Sequence, residues 1–337
     1  MTPALDRARL ESIVGRFAGR RVAVLGDLVA DEFLHGDIAR ISREAPVLIL
    51  EHRRTVVVPG GGGNAVANLR ALGASPEPVG VVGRDEAGAR LLGRFREIGV
   101  PVRGVVVARG YETPTKSRVL AGGVHTRRQQ IVRIDRGAAH GELAPPLRAE
   151  IAARLARAVT RAEGLLVSDY GYGAAGPRVL RSLRASRRPT TTVDSRTRVA
   201  RFRGAAACTP NQEELERAVG ADSFRSDRAV EEAARDLMRR SGNRAVLVTR
   251  GARGMCLVER GKPPLRIPAF GEGEVADVTG AGDTVIAAFT LALISGASHA
   301  EAAFLANLAA GLAVMKYGTA TVSRSELRAA IREACRP

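Results

Sequence analysis

The sequence predicts an α/β protein with a mostly parallel β-sheet, helices on both faces of that sheet, and a small second sheet beside it. Short apolar, β-branched runs that end in polar residues recur along the chain. Segments with the 3.6-residue period of amphipathic helices separate these runs. Buried strands that alternate with such helices are typical of parallel sheets covered on both faces. Two further segments lack the helical period, and they predict the second sheet.

The elements of the large sheet can be assigned in chain order. Four segments have the pattern of buried parallel strands: 21–27, 164–170, 190–195 and 245–251. Helical periodicity covers 62–73, 86–98, 147–160, 176–187, 211–219, 226–240, 281–295 and 300–316. In open α/β sheets, ligands bind at the carboxyl ends of the strands. Four polar residues lie at those ends, so we expect them to converge at one edge: Asp27, Asp169, Asp194 and Arg250.

The second sheet is predicted from residues 34–58 and 103–135, which read as hairpin-like strands. Such a sheet beside a ligand-binding edge would act as a lid or as a contact between two copies of the chain. Residues 136–146 form a surface connection in this reading. Because we find no internal repeat and no low-complexity linker, the whole chain, 1–337, is predicted to form one domain.

The net charge of +17 invites the hypothesis of a nucleic-acid-binding protein. Only three of the 52 basic residues are lysines, and the arginines are scattered rather than gathered into one stripe. Aromatic residues make up 4% of the chain, with no Trp, which disfavours the stacking surfaces that bind single-stranded nucleic acid. We therefore expect no nucleic-acid partner, although the positive charge favours anionic substrates.

Cysteine usage and hydropathy indicate a cytoplasmic protein with no membrane partner. The three cysteines are far apart and form no CxxC pair, which matches a reducing compartment and no zinc site. The N-terminal 20 residues contain Asp and Glu and have no apolar core, so they do not resemble a signal peptide. The longest apolar run, near 285–294, is too short to span a bilayer.

The segment DVTGAGDT, residues 277–284, joins a small glycine turn to an apolar run of helical length. A Gly-Ala-Gly turn that enters a helix leaves backbone N–H groups free at the positive end of the helix dipole, where an anion can bind. Asp283 would lie beside that anion and could accept a proton from an attacking hydroxyl. On spacing alone, a carboxylate that only complements the helix dipole is an equally good interpretation.

Four other motifs carry weaker signals. PGGGGNAVANLRALGA (59–74) is a glycine run that opens a helix, and GDLVADEF (26–33) places two carboxylates after a strand, where they suit sugar hydroxyls or a helix cap. TPNQEELE (209–216) is a helix start whose Asn and Glu could also order hydrated magnesium. TRGARGM (249–255) fits either a hairpin turn or a loop that contacts a nucleotide.

The order of these motifs resembles the ribokinase-like (PfkB) carbohydrate kinase family throughout residues 20–325. DVTGAGDT is highly specific to that family, and the glycine-rich motif supports it. Five stretches are more narrowly similar to the bacterial heptose-7-phosphate kinases, which also form the N-terminal half of the bifunctional ADP-heptose synthase: RISREAPV (40–47), TPTKSRVLAG (113–122), QQIVRID (129–135), LLVSDYGYG (165–173) and MKYGTATVS (315–323).

The resemblance implies a Rossmann-like α/β domain with a protruding β-sheet lid. It implies that ATP and Mg²⁺ are used to phosphorylate the anomeric hydroxyl of D-glycero-D-manno-heptose 7-phosphate, giving the 1,7-bisphosphate. A kinase for another sugar or sugar phosphate is the alternative within the same chemistry. A homodimer formed through the lid is also expected. We find no HxGH-type nucleotidyltransferase segment, so the second activity of the bifunctional enzyme is not expected in this chain.

The resemblance also implies roles for particular residues. Asp283 would be the catalytic base, and Gly280, Ala281 and Gly282 would form the anion hole. The ATP side would include Asn211, Gln212, Glu213, Glu214, Thr249, Arg250, Gly251, Gly254 and Asn307, with Glu214 near magnesium through water. The sugar side would include Asp27, Asp31, Gly61, Gly62, Asn64 and Asp169. Asp277 and Thr279 would lie at a monovalent cation site, with K⁺ as the expected ion.

Three basic residues in the predicted lid could hold the phosphate that the sugar already carries: Lys116, Arg118 and Arg133. The other interpretation is that they are solvated strand positions. Lys116 is the strongest of the three, because the chain otherwise nearly avoids lysine. One departure concerns substrate identity, since Tyr172 stands in SDYGYG where the heptose kinases usually have Lys.

Overall fold

A computed structural model describes residues 6–122, 129–137, 142–183, 189–271 and 276–335. Parts of three predicted segments lie outside the described residues: the end of the helix 176–187, positions 123–128 of the lid, and positions 138–141 of the surface connection.

The described residues contain a nine-stranded sheet, and this confirms the predicted fold class. Its strands are β1 (Arg21–Gly26), β4 (Ser75–Gly83), β5 (Val105–Ala108), β8 (Gly164–Asp169), β9 (Thr190–Ser195), β10 (Ala207–Cys208), β11 (Ala245–Thr249), β12 (Met255–Glu259) and β13 (Leu265–Ile267). They are ordered β13-β12-β11-β10-β9-β8-β1-β4-β5. All neighbours pair in parallel except β11 with β12 and β12 with β13.

Helices cover both faces of this sheet. They are α1 (Arg7–Gly15), α2 (Gly62–Ala71), α3 (Glu86–Glu97), α4 (Pro145–Val159), α5 (Pro177–Arg181), α6 (Gln212–Val219), α7 (Asp227–Ser241), α8 (Ala281–Ile294), α9 (His299–Val314) and α10 (Arg324–Ala334). Strand β1 shows why two layers are needed. Val22 and Val24 pack into the core beneath α1–α3 and α8–α10, whereas Ala23 and Leu25 pack into the core beneath α4–α7. Alternate residues of a strand point to opposite faces, so a strand that is apolar at every position requires cover on both.

A four-stranded sheet, which we call the lid, stands beside the large one. Its strands are β2 (Leu28–Ile41), β3 (Leu48–Gly61), β6 (Thr115–Gly122) and β7 (Gln129–Arg136), in the order β3-β2-β6-β7. Only Asp27 separates β1 from β2, so the lid rises directly from the carboxyl end of a central strand.

The lid differs from its predicted ranges at three boundaries, since β2 begins at Leu28 rather than at 34, β3 ends at Gly61 rather than at 58, and the second range starts too early. Residues 105–108 were assigned to the second sheet, but they form β5 and pair in parallel with β4 in the large sheet. The lid strand of that region begins only at Thr115. The segment was misassigned because β5 has the same apolar, β-branched composition as the lid strands that follow it.

No helix within the described residues is long and apolar enough to cross a membrane.

Candidate active site

Asp283 lies in the first turn of α8, with 2% of its surface exposed. Each of its carboxylate oxygens accepts one hydrogen bond from a side chain. The hydroxyl of Tyr170 donates to Oδ1 at 2.9 Å, and Nδ2 of Asn64 donates to Oδ2 at 3.0 Å. A carboxylate oxygen has two lone pairs, so both oxygens keep the capacity to accept a further proton donor.

The glycine run before α2 places Asn64 beside α8. Gly61 has a φ of 55°, and a Cβ there would lie 2.9 Å from the carbonyl oxygen of Asp27. A Cβ on Gly62 would lie 2.7 Å from the Cα of Gly26, at the end of β1. Side chains at either position would push α2 away from β1 and α8. The predicted sugar-side glycines thus serve a steric role that brings Asn64 to the base.

Burial controls the protonation of Asp283. It raises the pKa of this carboxyl group to about 7, and the hydrogen bonds from Asn64 and Tyr170 oppose that rise. Asp31 also raises the pKa, whereas Arg196 lowers it. A general base works best when its pKa lies near the working pH, so this environment suits proton abstraction at neutral pH.

The start of α8 is open to an incoming anion. Gly280 precedes the helix with a φ of 80°, and a Cβ there would lie 2.3 Å from Nδ2 of Asn64. Gly282 is exposed, and a Cβ there would meet nothing within 4 Å. The first backbone N–H groups of a helix have no partner within it, and the helix dipole favours negative charge there. The Gly-Ala-Gly turn therefore gives an anion close access to the backbone.

A cleft of about 470 Å³ opens from this turn. It is lined by seven residues that the sequence assigned to ATP or to the anion hole: Asn211, Thr249, Gly251, Gly254, Ala281, Gly282 and Asn307. Most of the remaining lining is apolar, and it includes Met255, Phe270 and Val314. Ligand pockets of this size are typically apolar with a few polar groups, and an adenine ring with its phosphates toward α8 suits this one.

The other residues predicted on the nucleotide side have structural partners. Asn211 and Glu214 form a capping box at the start of α6, and each side chain accepts from the backbone N–H of the other. Gln212 accepts from Arg253 at 2.6 Å, and Arg250 pairs with Asp227 at 2.7 Å. Glu213 is exposed in the first turn of α6. These contacts fix the loops around the cleft.

Asp194 and Glu214 form a partly buried acidic pair near Asp283. Burial raises the pKa of both carboxyl groups above their ordinary values, and the charge of Glu214 raises that of Asp194 further. A cation would relieve this repulsion, and oxygen ligands suit Mg²⁺, which retains several waters when it binds to proteins. Within the described residues no group of three His, Cys, Asp or Glu side chains could hold a metal ion directly. The donor set therefore fits a hydrated magnesium ion that the side chains contact through water.

The three carboxylates that were predicted to bind the sugar differ in how far protein groups already occupy them. Asp31 in β2 is 4% exposed and pairs with Arg118 at 2.6 Å. Asp27 accepts four backbone N–H groups, from residues 170, 172, 174 and 175, so it fixes the loop after β8. Asp169 is held by Arg198 and by the hydroxyl of Ser195. Of the three, Asp31 lies on the lid beside the base.

Lys116 and Arg133, both predicted to bind phosphate, lie in different surroundings. Lys116 in β6 is 8% exposed, and its Nζ lies 5.2 Å from the centroid of the Tyr170 ring. Burial and the charge of Arg196 lower its pKa. Arg133 in β7 is exposed and pairs with Asp135 at 2.8 Å. Arg118 is already engaged by Asp31, so Lys116 is the buried lid cation with the greatest capacity to bind an anion.

Sequence reasoning did not single out two side chains at this site. Tyr170 contacts the base, and the guanidinium carbon of Arg196 lies 4.3 Å from the centroid of its ring. Tyr170 follows β8 directly, and Arg196 follows β9 directly. The strand-end pattern that selected Asp169 and Asp194 could have selected both.

Asp277 accepts from the backbone N–H of Thr279 at 2.9 Å and from that of Gly318 at 3.1 Å. These bonds shape the loop that leads into α8. Both predicted cation-site residues thus lie just before the glycine turn that opens α8.

The chain matches the pfkB family carbohydrate kinases over residues 21–326. It belongs to that family. It is 36% identical over 324 residues to the bifunctional protein HldE of Desulfatibacillum aliphaticivorans, a match that covers 95% of this chain and 65% of that protein. It is 40% identical over 330 residues to HldE of Mesorhizobium japonicum, with 96% and 64% covered. The chain thus spans about 65% of the length of these relatives.

Solved structures confirm the ribokinase-like fold. Arabidopsis thaliana ribokinase, complexed with ribose and ATP, superposes with a TM-score of 0.71 at 20% identity, covering 94% of this chain and 99% of that one. Escherichia coli phosphofructokinase-2, in complex with potassium, gives a TM-score of 0.75 at 18% identity, with 94% and 100% covered. Membership of this family establishes the pfkB protein as an ATP-dependent sugar kinase.

Proposed function

We propose that this pfkB kinase transfers the γ-phosphoryl group of ATP to the anomeric hydroxyl of D-glycero-D-manno-heptose 7-phosphate, giving the 1,7-bisphosphate. The observation that carries the proposal is the position of Asp283, a buried carboxylate that directly follows Ala281 and Gly282 of the cleft lining and lies near Asp31 of the lid. The similarity to HldE proteins along nearly the whole chain supports a heptose phosphate as acceptor.

In this mechanism Asp283 accepts the proton of the sugar hydroxyl. The hydroxyl oxygen then forms a bond to the γ-phosphorus while the bond from that phosphorus to the bridging oxygen breaks, releasing ADP. The backbone N–H groups at the start of α8 hold the charge on the transferred group, as they would hold any anion at a helix N-terminus. Magnesium, when bound, would neutralise phosphate charge, and the acidic pair Asp194 and Glu214 would orient it through water.

The substrate's own phosphate would bind on the lid side. Lys116 supplies a buried cation there, and binding of a phosphate would offset the cost of burying it. A kinase for a different sugar phosphate is the second candidate, and Tyr172 favours it, because its half-buried phenol stands where the heptose kinases usually carry a lysine.

We further propose a monovalent cation near Asp277 and Thr279, with K⁺ as the ion, and a homodimer formed through the lid. The cation would lie beside the loop into α8, so its loss would disturb the anion-binding turn. Turnover in K⁺ would exceed turnover in tetramethylammonium at equal ionic strength. Equal rates in the two salts would remove the cation from the proposal.

The deciding experiment is a phosphoryl-transfer assay with heptose 7-phosphate, fructose 6-phosphate, ribose and adenosine as acceptors. We expect the highest kcat/KM with heptose 7-phosphate. Another sugar phosphate as the best acceptor would support the second candidate, and turnover of adenosine alone would contradict both.

The base is tested separately by Asp283→Asn, which keeps the volume of the side chain but removes the proton acceptor. Turnover should fall by about 10²–10⁴-fold, the usual contribution of a positioned base, while the Kd for ATP stays within a few-fold. Asp236→Asn is the matched control and should retain turnover, because Asp236 lies half-buried on α7, where it pairs with Arg239 and Arg240. Activity of Asp283→Asn close to that of the wild type would refute the assignment.

A further inference from the structure

The two hydrogen bonds to Asp283 come from side chains of different character. Asn64 is neutral at every pH and lies on α2, within the glycine-rich motif. Tyr170 lies on the loop after β8, and its hydroxyl reaches Asp283 across 113 positions of sequence. Its ring lies between the lid and the large sheet, close to Lys116 of β6 and to Arg196 after β9.

We propose that Tyr170 is a positioning residue that holds Asp283 in its charged form and thereby sets the pH above which the kinase works. The inference rests on the proposed role of Asp283 as the base. It deepens that role, because it names the group that keeps a buried carboxylate ready to accept a proton.

The physical argument begins with the cost of burying a carboxylate. Burial favours the neutral acid, and a neutral Asp283 could not accept a proton. A hydrogen bond donated to the charged form favours that form. The phenol can donate throughout the working range, because burial and the neighbouring Asp283 charge raise the pKa of Tyr170 well above its ordinary value. Tyr170 therefore stays protonated wherever Asp283 is charged.

The backbone around Tyr170 is fixed on both sides. Its own N–H donates to Asp27 at 2.9 Å, and the N–H of residue 172 donates to the same oxygen at 2.9 Å. The preceding residue, Asp169, is held by Arg198 and Ser195. A phenol on a loop tied at each flank is held toward the base before any substrate arrives, and such preorganisation is what a positioned donor requires.

Other charged groups also face Asp283, and their effects must be separated from that of Tyr170. Asp31, Arg196 and Asp194 act on Asp283 directly. Three more lie one contact further away: Arg118 pairs with Asp31, Glu214 lies beside Asp194, and Lys116 lies over the ring of Tyr170. Asp31 raises the pKa of Asp283 and Arg196 lowers it. Replacing Tyr170 by Phe changes none of these charges and retains the ring beside Lys116 and Arg196, while it removes the hydrogen bonds of the phenol to Asp283 and to Arg196.

The test is the pH profile of kcat/KM for Tyr170→Phe, measured with the best acceptor found for the wild type. Loss of the donor should move the acid limb to higher pH by about one unit, because a hydrogen bond to a charged group is worth roughly that much. The loss of kcat/KM at pH 6 should then be about tenfold greater than the loss at pH 9. Tyr172→Phe removes a phenol from the same loop and should leave the limb in place.

A second measurement covers the case in which Tyr170→Phe folds poorly, which its thermal melting curve would reveal. The chain has four tyrosines, so fluorotyrosine can replace them all. Fluorination makes the phenol a stronger hydrogen-bond donor without changing its shape, so the acid limb should move to lower pH. The same shift is expected in the Tyr172→Phe background, where Tyr172 cannot contribute to it.

The outcomes separate this inference from the proposed function. An acid limb that stays in place in both Tyr170→Phe and the fluorinated protein, while Asp283→Asn abolishes turnover, would overturn the role of Tyr170 and leave the base intact. If Asp283→Asn keeps its turnover, the base assignment fails, and the Tyr170 inference fails with it.

Discussion

If Asp283 is the base, as we propose, its burial sets the pH dependence of the reaction. Because burial raises its pKa to about 7, the fraction of enzyme with a charged base rises as the pH rises through that value. We expect kcat/KM to increase with pH on an acid limb centred near 7 and to level off above it. Initial rates between pH 5.5 and 9 at saturating ATP would measure the limb. A limb near pH 4, the ordinary value for Asp, would contradict the effect of burial.

For Lys116 we predict an effect on the KM for the acceptor rather than on kcat. Lys116→Met removes the charge and keeps the length of the side chain. If the ammonium binds the acceptor's phosphate, KM for the sugar phosphate should rise by about 10- to 100-fold, the range expected for loss of a charged hydrogen bond, while KM for ATP stays the same.

Arg133→Ala is the comparison for Lys116→Met, because Arg133 is exposed and already paired with Asp135. Its effect on the same KM should be smaller than fivefold. An unchanged KM in Lys116→Met, or equal effects of the two variants, would exclude a phosphate-binding role for Lys116.

Tyr170 and Arg196 show the limit of residue-scale prediction. The sequence identified Asp283 and Asn64 from motifs in which each residue lies beside its own glycines. Tyr170 approaches Asp283 only because the ends of β8 and the start of α8 meet in the folded sheet. A contact of that kind leaves no local spacing pattern, so the strand-end position could have selected Tyr170 as a site candidate but could not have predicted its contact with Asp283.

The start of α8 gives a prediction at the scale of an element. Gly282 is within the helix, and a Cβ there would meet nothing within 4 Å, so Gly282→Ala should stabilise the protein by about 0.5–1 kcal/mol through helix propensity. The same methyl group would occupy the space through which an anion approaches the backbone. Turnover should therefore fall, by at least tenfold, while stability to urea rises.

Gly93 in α3 is the matched control for Gly282. It too is helical, and a Cβ there would also meet nothing within 4 Å. Gly93→Ala should give the same gain in stability with unchanged turnover. If Gly282→Ala keeps full activity, the anion does not approach the backbone at that glycine.

Helices and strands could be predicted from the sequence where a single hydrophobic pattern dominated a segment. β1, β8 and β11 are mainly apolar and β9 is mainly β-branched, and all four were predicted within two residues of their ends. β4 was missed because Pro76 and Pro78 argue against a strand, yet its residues 75–79 pair with β1 and its residues 80–83 pair with β5. β10 has two residues, too few for any period to show. Its place in the sheet depends on pairing with β9 and β11, which is not a local property of the sequence.

At the scale of the whole molecule, many of the arginines form ion pairs with acidic side chains at the surface. Arginine supplies the cation in nearly all the ion pairs of the described residues, and most of these pairs are exposed. An exposed pair contributes only about 0–1 kcal/mol, so such pairs serve solubility more than stability. Among the described residues, these pairs are spread along the chain rather than gathered in one segment.

The exposed apolar residues of the lid predict that two copies of the chain assemble through it. Large exposed apolar side chains concentrate on the lid strands and the tip between β2 and β3: Ile38, Ile41, Val47, Leu48, Ile131, Val132 and Ile134. Strand β7 is also an edge strand whose residues are all exposed. Clusters of exposed apolar groups usually mark interaction surfaces, and an unpaired edge can accept another strand. A second copy of the lid would cover both features at once.

Light scattering after size exclusion should therefore give about twice the chain mass of 35.6 kDa at micromolar concentration. Ile131→Lys with Ile134→Lys should give the monomer, because a dimer would bury the new charges. Val107→Lys is the control, since Val107 is 53% exposed but lies on β5 in the large sheet. A monomeric wild type, or a dimer that survives the lid substitutions, would show that the lid does not join two copies.

The same lid variants test whether the contact between two copies affects acceptor binding. Lys116 and Asp31 lie on the lid sheet. If the lid variants are monomeric and their KM for the sugar rises while ATP binding is unchanged, the contact also holds the lid over the acceptor.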